Sequence, residues 1–491
     1  MNGLGWIDLS VLVLYGAVLV GMGWYFVRKS NTAEGFMVAS RGLPSWAVGL
    51  AIMSAYTSSI SYIATPGKAY DTNWHPIIFA LTIPPITWLA CKYVVPYYRR
   101  MKLVSVYSFL EDRLGGWARF YGSLSFLLYM VGRSAVILYL ASMLMSTFVP
   151  VPIEYLILIL GAITIIYTLL GGMEAVVWTD VMQSAIMVGG GLFCAGFLGW
   201  HVLSGPEPLI SQAVEAGKFS WGDLSFSLES RTIWVMIIYG VTENLRNLIA
   251  DQNYVQKYAA ASSEKEATRS LWISAAIYVP MTALFLFLGT TLFAFYSGEA
   301  NTLADSITKG DQVFPYFIVN EIPTGLKGLI IAAIIAAAMS TVDSALNCSA
   351  TVTMLDVYKK YFKPDISDKA AVFVLRFTTV IWGVLGTGFA LLMIRAKSAL
   401  DTWWQISGIF GGGILGLFLL ALLSRRIKTW QGIIAIASSI LVISWGTFIR
   451  GEAWWQCSIE EILVGAVGTG VMLLTALGFS LAGGKESGAL K

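Results

Sequence analysis

Residues 53–61 read Met53-Ser54-Ala55-Tyr56-Thr57-Ser58-Ser59-Ile60-Ser61 and interrupt the apolar run 44–65. Six of the eight residues from Ser54 to Ser61 carry a hydroxyl group. A run of about 20 apolar residues is long enough to cross the hydrocarbon core of a bilayer. Non-helical backbone at that depth must be satisfied inside the protein or line a cavity. The stretch therefore predicts a membrane helix that is broken at mid-depth, where its carbonyls and hydroxyls can hold an ion. In the alternative, the hydroxyls bond to carbonyls of their own helix and only bend it.

The rest of the chain has the composition of a helical membrane bundle. Of its 491 residues 57% are hydrophobic and 12% are charged, whereas soluble proteins carry about 25% charged residues. The 18 tryptophans fit this class, because tryptophan is enriched at membrane interfaces. The net charge of +3 is too small to indicate nucleic-acid binding. The four cysteines lie far apart without metal-binding spacing, which predicts free thiols.

Thirteen runs are long and apolar enough to span a bilayer. Numbered as spans 1 to 13, their expected bounds are 6–27, 44–65, 76–98, 120–148, 153–171, 176–204, 231–256, 268–296, 325–356, 371–394, 401–423, 429–449 and 459–482. Two longer connections, 205–230 and 297–324, mix charged residues with Gly, Ser and Pro and are expected to lie outside the membrane.

The distribution of lysine and arginine orients these spans, because both residues are enriched in cytoplasmic loops. With the N-terminus outside, 22 of the 32 basic residues fall on the inner side and 8 on the outer side, while Arg133 and Arg246 lie at membrane depth. An extra or missing span would invert every later loop and remove this asymmetry. The pattern predicts a multi-pass protein of the cell inner (plasma) membrane with a cytoplasmic C-terminus.

Span 9 contains a second polar stretch, within residues 336–347. Its alanines allow close helix approach, and Ser340, Thr341, Asp343 and Ser344 add oxygen atoms of the kind that hard cations bind. A packing seam would explain the alanines but not Asp343. Asp180, near the inner start of span 6, is a further acidic candidate that either caps its helix or is a carboxylate ligand to a cation.

Charged residues also occur inside spans 4 and 7, where an ionisable side chain is costly unless it is paired or hydrated. Arg133 is suited to a bidentate grip on a carboxylate; alternatively it forms an internal ion pair with a residue such as Glu243. The stretch 242–247 indicates a second helix break. Within it Glu243 and Arg246, three residues apart, can neutralise each other, while Asn244 faces elsewhere and is free to contact a solute.

The two predicted breaks lie in spans 2 and 7, five spans apart. Repeats of five spans have opposite orientations in the membrane, and paired interrupted helices are typical of inverted-repeat transporters that bind their solute at the midplane. The polar clusters therefore favour a transporter.

Together these motifs resemble the sodium:solute symporter family. The matching stretches are residues 66–70, 171–183, 251–257 and 336–347, and the resemblance covers about residues 5–450. It implies an all-α membrane fold of the leucine-transporter type with about 13 helices. Its expected parts are an extra helix in 1–43 with the N-terminus outside, a first five-helix repeat in 44–204, an outer loop in 205–230, a second repeat in 231–424, and two C-terminal helices with a cytoplasmic tail in 425–491.

The resemblance also implies a sodium site between spans 2 and 9. By motif position its ligands are the carbonyls of Ser54, Thr57 and Ala337 and the hydroxyls of Ser340 and Thr341. Some family members hold a second sodium ion, whose positions here are Asp180, Ser340, Asp343 and Ser344. Asp343 stands where sialic-acid carriers have serine, which places two acids at this second site.

Among the branches of the family, the motifs are most similar to those of bacterial sialic-acid carriers. By this resemblance Arg133 grips the substrate carboxylate, and Tyr56, Ser58, Ser61 and Asn244 occupy substrate-contacting positions. Tyr56 replaces a small hydroxyl residue, and Ala80 stands where a glutamine would contact the sugar.

The resemblance thus implies a symporter, not an enzyme, that imports a small carboxylate-bearing solute with sodium by alternating access. Sialic acid is the first candidate for the solute, and another organic acid or a neutral sugar is the alternative. The bilayer surrounds the carrier, and a monomer is expected to suffice. A remote alternative from another class is an intramembrane aspartyl protease that uses Asp180 and Asp343 as a dyad.

Overall fold

The computed structural model describes residues 4–204, 209–297, 302–305, 307–395, 410–423, 427–451 and 453–482. This part of the chain is a bundle of helices. They are α1 (Trp6–Phe26), α2 (Ala33–Val38), α3 (Ser45–Tyr56), α4 (Ser59–Asp71), α5 (Ile77–Leu81), α6 (Ile83–Leu89), α7 (Val95–Arg100), α8 (Tyr107–Leu114), α9 (Gly116–Phe148), α10 (Ile153–Leu203), α11 (Ile210–Glu215), α12 (Ile233–Leu245), α13 (Gln252–Ala259), α14 (Glu264–Ser297), α15 (Gly310–Glu321), α16 (Leu326–Val352), α17 (Asp368–Met393), α18 (Gly412–Leu423), α19 (Thr429–Phe448) and α20 (Val464–Ala482). Three π-helical segments, Ala90–Val94, Arg246–Ala250 and Thr353–Phe362, continue neighbouring helices.

The membrane-length helices of the described residues coincide with predicted spans, whereas the shorter α2, α8, α11 and α15 lie in the connections between spans. Within the described residues nine helices are long and apolar enough to cross a membrane, or ten if the bent pair α3–α4 is one span. The 51-residue α10 covers spans 5 and 6, and Gly172 breaks it with a left-handed φ of 57°, a conformation that glycine adopts without steric cost. Residues 401–409 of span 11, and 424–426 and 483–491 of the C-terminal region, lie outside the described residues. The count of thirteen stays a prediction.

The helix of span 2 is interrupted within the predicted stretch. Thr57 and Ser58 have extended backbone, with ψ of 101° and 174°, and the two half-helices are bent by 54°. The carbonyl of Ala55, at the end of α3, accepts hydrogen bonds from the side chains of Arg133 (3.0 Å) and Tyr254 (3.2 Å). Neither glycine nor proline stands at the break. Side chains of two other helices supply the Ala55 carbonyl with hydrogen bonds, as a buried backbone group requires.

Span 7 is interrupted as well. After α12 the chain forms a π-helical turn, becomes extended at Asp251 (φ −95°, ψ 115°) and then continues as α13. The Asp251 carboxylate accepts a 2.9 Å hydrogen bond from the backbone N–H of Asn253 and so caps α13. Both spans are thus interrupted, but the break in span 7 lies at residues 246–251, whereas the stretch 242–247 predicted it a few residues earlier, where α12 is still a regular helix.

The ninth span, α16 with its π-helical extension, is the centre of the bundle. In its most apolar window 94% of the residues are buried, against 22% in α1. Asp8 of α1 caps the start of α16, since its carboxylate accepts hydrogen bonds from the backbone N–H groups of Gly325 (2.7 Å) and Gly328 (2.8 Å). A central helix rich in alanine lets its neighbours pack closely around it.

Gly289 of α14 packs directly on α4. A β-carbon at this position would overlap the carbonyl oxygen of Pro66 and would lie 2.8 Å from the β-carbon of Ala69. We expect Gly289→Ala to lower the free energy of unfolding by about 1–3 kcal/mol, because the two helices would have to separate. Unfolding by SDS titration from mild detergent measures this change.

Gly196→Ala in α10 is the matched control. A β-carbon on Gly196 meets nothing within 4 Å. This substitution should leave stability unchanged or raise it by up to about 1 kcal/mol, as alanine does inside a helix. Equal stabilities of the two variants would contradict the close contact between α14 and α4.

Candidate solute and ion sites

A cavity of about 250 Å³ lies beside the break between α3 and α4. Four of the five predicted solute residues, Tyr56, Ser58, Ser61 and Arg133, are among the residues that line it. The other lining residues are Phe79, Tyr129, Ile137, Tyr239, Thr242, Glu243, Arg246, Asn247, Tyr254, Tyr278, Gly411, Gly412, Leu415, Glu461, Ile462, Gly465, Ala466 and Thr469. The cavity is therefore bordered by both interrupted helices, by α9 and by the C-terminal helices α18 and α20.

Tyrosine rings form much of the cavity wall. The ring of Tyr56 lies 4.6 Å from that of Tyr254 and 5.2 Å from that of Tyr278, centroid to centroid. Phe79 and Tyr239 form a further pair at 5.5 Å. Aromatic walls of this kind pack against the apolar faces of a small molecule, while a few polar groups set its orientation.

Arg133 is the polar group that stands out in this cavity. Its residue is 9% exposed, and it donates a hydrogen bond to the Ala55 carbonyl. Arg133 takes part in no ion pair within the described ranges. Asp251 is the acidic residue with an electrostatic interaction with Arg133, but its carboxylate is paired with Arg246. A buried guanidinium without a carboxylate partner is suited to bind an anionic ligand.

Arg246, by contrast, is fully engaged. It pairs with Glu243 (2.5 Å) and with Asp251 (3.1 Å), and it donates to the hydroxyl of Tyr129 and the amide oxygen of Asn247. Glu243 and Arg246 therefore neutralise each other, as their spacing allowed. The alternative pairing of Arg133 with Glu243 is wrong, because Arg246 takes that carboxylate.

Asn244, the fifth predicted solute residue, is not among the residues that line the cavity. Its side chain is fully buried and donates a 2.9 Å hydrogen bond to the Thr82 hydroxyl. Asn244 therefore joins α12 to the start of α6. Its amide oxygen has no hydrogen-bond partner among the described residues. Ala80 is likewise buried in α5 and does not line the cavity.

The five residues predicted to bind sodium lie on α3, at its end and on α16. All five are at most 1% exposed: Ser54, Thr57, Ala337, Ser340 and Thr341. The hydroxyls of Ser340 and Thr341 both donate to the Ala337 carbonyl, each at 3.2 Å, so three oxygen atoms are gathered on one turn of α16. The Ser54 hydroxyl has no hydrogen-bond partner in the described part of the chain. A set of buried carbonyl and hydroxyl oxygens beside an interrupted helix fits a sodium ion.

Asp180, predicted for the second sodium site, binds a lysine. The ammonium of Lys257 on α13 lies 2.9 Å from the Asp180 carboxylate and 2.9 Å from the Ala51 carbonyl, and both charged side chains are fully buried. Asp180 does not cap a helix, because it lies inside α10, eight residues after the break at Gly172.

Asp343 is held by hydroxyl donors. Its carboxylate accepts hydrogen bonds from Tyr167 (2.7 Å), Ser344 (3.2 Å) and Thr179 (3.4 Å). The single hydroxyl proton of Ser344 is shared with the carbonyl of Ser340, which lies 2.9 Å from the Ser344 oxygen. Ser340, Asp343 and Ser344 of the second predicted site are thus joined by hydrogen bonds, whereas the charge of Asp180 is balanced by Lys257.

The sequence profile of the family described as "Sodium:solute symporter family" matches residues 36–440. The chain belongs to the sodium:solute symporter family. The symporter is 30% identical over 449 residues to the sodium/sialic acid symporter SiaT of Proteus mirabilis, with 90% of each chain covered. It is 24% identical to the human sodium-coupled monocarboxylate transporter 1, covering 90% of this chain and 74% of the relative.

Solved structures agree with this assignment. A Na⁺-coupled sialic acid symporter in a substrate-bound, outward-open state superposes with a TM-score of 0.90 and 28% identity, over 97% of this chain and 98% of the other. A nucleobase-cation-symport-1 transporter shares the fold, with a TM-score of 0.55 and 14% identity over 92% and 95% of the two chains. The all-α membrane fold of the leucine-transporter type is thereby confirmed.

Family membership also settles the class of activity. The symporter is a multi-pass secondary transporter, not an enzyme, and sodium and a small solute are its substrates. The protease alternative is wrong, and the Asp180–Lys257 pair supplies the physical reason. An aspartyl protease needs two carboxyl groups that share a proton around a water molecule, whereas here an ammonium takes one of them.

Two parts of these sites escaped the sequence analysis. Lys257 was counted among the charges of the inner side, but its side chain is buried in the bundle. Its position in the matched stretch 251–257, directly after an interrupted helix, was the signal that could have indicated a buried role. Glu461 and Thr469 line the cavity, although they belong to the last predicted span. Thr469 of α20 donates to the Gly412 carbonyl of α18 at 2.9 Å, which fixes that wall.

Proposed function

We propose that this symporter imports a small carboxylate-bearing solute with sodium by alternating access, with sialic acid as the first candidate. The observation that carries the proposal is the buried guanidinium of Arg133 in an aromatic cavity, which forms no ion pair within the described residues. The names of the relatives support it, because sialic acid and monocarboxylates share a carboxylate group.

The remainder of the cavity narrows the range of solutes less than Arg133 does. Ser58 and Ser61 offer hydroxyls to a polar solute, and the ring of Tyr56 occupies space that a smaller residue would leave free. Ala80, without a polar group, offers nothing to a sugar hydroxyl. Another sugar acid or organic acid therefore follows sialic acid as a candidate, and a neutral sugar, which would leave Arg133 unpaired, comes last.

Sodium and solute act on the same interrupted helix in this proposal. Ser54 and Thr57 supply carbonyls to sodium at the end of α3, while Arg133 binds the Ala55 carbonyl between them. Sodium that fixes this end against Ser340 and Thr341 of α16 also fixes the position of Arg133 for the solute carboxylate. Each ligand thereby raises the affinity for the other, which is the requirement for coupling.

The remaining features of the carrier follow the same reasoning. We propose the two inverted repeats at 44–204 and 231–424, each beginning with an interrupted helix. The lysine and arginine distribution supports an outer N-terminus, a cytoplasmic C-terminus and a place in the cell inner membrane. Because the cavity lies within one chain, a monomer in the lipid bilayer is sufficient for transport.

A thermal-shift screen of the purified carrier tests solute and coupling together. The compounds are sialic acid, glucuronate, pyruvate and glucose, each with sodium and with potassium in its place. We expect stabilisation by an acid only with sodium, by about 2.7 kcal/mol at a concentration 100 times the Kd. If glucose is the one compound of the four that stabilises the carrier, a neutral sugar is favoured. If an acid stabilises the carrier equally in sodium and in potassium, coupling is contradicted.

Loss of a hydroxyl from the sodium site should weaken sodium binding. We expect Ser340→Ala and Thr341→Ala each to raise the sodium concentration for half-maximal uptake by about 10- to 100-fold, because a ligand to a charged group is removed. Uptake of labelled solute into proteoliposomes at varied sodium measures the change.

Thr379→Ala is the matched control for these variants. Thr379 is also fully buried and donates to a carbonyl of its own helix, that of Leu375, at 2.9 Å. The control should leave the sodium dependence unchanged. An equal sodium dependence in all three variants and the wild type would remove Ser340 and Thr341 from the ion site.

A further inference from the structure

Lys257 and Asp180 form an ion pair that lies wholly inside the bundle. Both side chains are fully buried, the Lys257 ammonium lies 2.9 Å from one carboxylate oxygen of Asp180, and the Ala51 carbonyl accepts a second hydrogen bond from the ammonium. The ammonium thus joins α3, α10 and α13. A buried charge needs a partner of opposite sign, and each of these two residues supplies that partner to the other.

The ammonium, and not a lack of oxygen atoms, opposes a second sodium ion at Asp180. The Asp343 carboxylate accepts its shortest hydrogen bond from Tyr167, at 2.7 Å, and an ionised carboxylate keeps further lone pairs that can bind a cation. One oxygen of Asp180 has no hydrogen-bond partner among the described residues, but an ion there would share the carboxylate with the ammonium. Two like charges about 4 Å apart at an effective dielectric of 20 weaken binding roughly 1000-fold.

We propose that the Lys257 ammonium takes the place of a second sodium ion at Asp180, so that one sodium ion accompanies each solute. The inference rests on the proposed sodium site between α3 and α16, which binds that single ion. Lys257 provides the positive charge from within the chain, where Asp180 and the Ala51 carbonyl hold its ammonium. The four residues predicted for the second site are thereby a structural cluster closed by a lysine.

The number of sodium ions bound to the purified carrier tests the proposal without any knowledge of the solute. We expect the wild type to bind one radioactive sodium ion per chain at saturation. The double variant Asp180→Asn/Lys257→Met, which replaces the ion pair by neutral side chains, should also bind one. Two ions on the wild type and one on the double variant would overturn the proposal.

Lys257→Met alone gives the opposite expectation. It frees the Asp180 carboxylate beside Asp343, so the variant should bind two sodium ions, and sodium without solute should raise its melting temperature more than that of the wild type. A folded Lys257→Met protein that binds only one ion would overturn the proposal. If this variant does not fold, the comparison of the wild type with the double variant still decides.

Failure of the proposed function gives a different result. A wild type that binds no sodium would overturn the site between α3 and α16, whereas two ions would overturn only the role of Lys257. Transport supplies a second measurement once a solute is identified. A tenfold sodium gradient with no membrane potential should support about tenfold accumulation of a solute with one sodium ion per cycle, and about 100-fold with two.

Discussion

Arg133→Ala is expected to lower the affinity for a carboxylate solute by about 2–4 kcal/mol, or roughly 30- to 1000-fold. The substitution removes the buried guanidinium, which has no acidic partner in the part of the chain that the structure describes. The solute carboxylate would then enter the cavity without a counter-charge. Sodium-dependent binding and uptake of sialic acid, or of whichever acid the thermal-shift screen identifies, measure the loss. Arg133→Lys should recover part of it, because an ammonium keeps the charge but not the bidentate geometry.

The neutral amide of the same solute is the control for this experiment. Arg133 also donates to the Ala55 carbonyl at the end of α3, so the alanine variant also affects the interrupted helix. If the guanidinium acts on the carboxylate, Arg133→Ala weakens binding of the acid far more than binding of the amide. Equal losses for acid and amide would assign Arg133 to the structure of the break and leave the solute class open.

Arg246→Met is expected to lower the free energy of unfolding by about 3–5 kcal/mol, because it leaves buried charges without a partner. Asp251 is fully buried and Glu243 is partly buried, and both carboxylates depend on this guanidinium. Methionine fills a similar volume, so the cost reports lost pairing more than lost packing. Unfolding by SDS titration measures the difference from the wild type.

Arg269→Met is the matched control for this stability measurement. Arg269 forms an ion pair with Glu266 at the same i, i+3 spacing, but its side chain is 60% exposed. Exposed pairs contribute about 0–1 kcal/mol, so the control should be nearly as stable as the wild type. Similar losses in the two variants would mean that burial of the Arg246 cluster does not determine its contribution.

Local sequence predicts the membrane fold well, because each feature of it has a local cause. Apolar runs predicted the long helices, and the polar stretch 53–61 predicted the interruption at Thr57, since neither signal depends on distant residues. The stretch 242–247 predicted an interruption of span 7 a few residues before the extended Asp251. The same holds for the pair Glu243–Arg246, whose members are three residues apart. Arg133 was identified because a cation at membrane depth is rare enough to be informative.

Contacts between residues that are distant in the sequence could not be predicted from local patterns. Lys257 and Asp180 are 77 residues apart, and nothing in either segment specifies that a lysine counted with the cytoplasmic charges turns into the bundle. Asn244 was predicted to contact the solute because it faces away from Glu243. The direction of a side chain around its helix, however, does not determine which residue of another helix it contacts. That neighbour is Thr82. Similarly, the contact of Asp8 with the start of α16 depends on how two distant helices pack.

The wall that α20 gives to the cavity has a consequence for the biosynthesis of the carrier. Ribosomes add roughly 5–20 residues per second and N-terminal segments fold first. Arg133 and both interrupted helices therefore enter the membrane well before Gly465 and Thr469 are made. A nascent chain that stops before α20 would carry the ion ligands and the guanidinium around a cavity that is open on one side. We therefore expect the newly made protein to enclose its solute only after α20 has been translated.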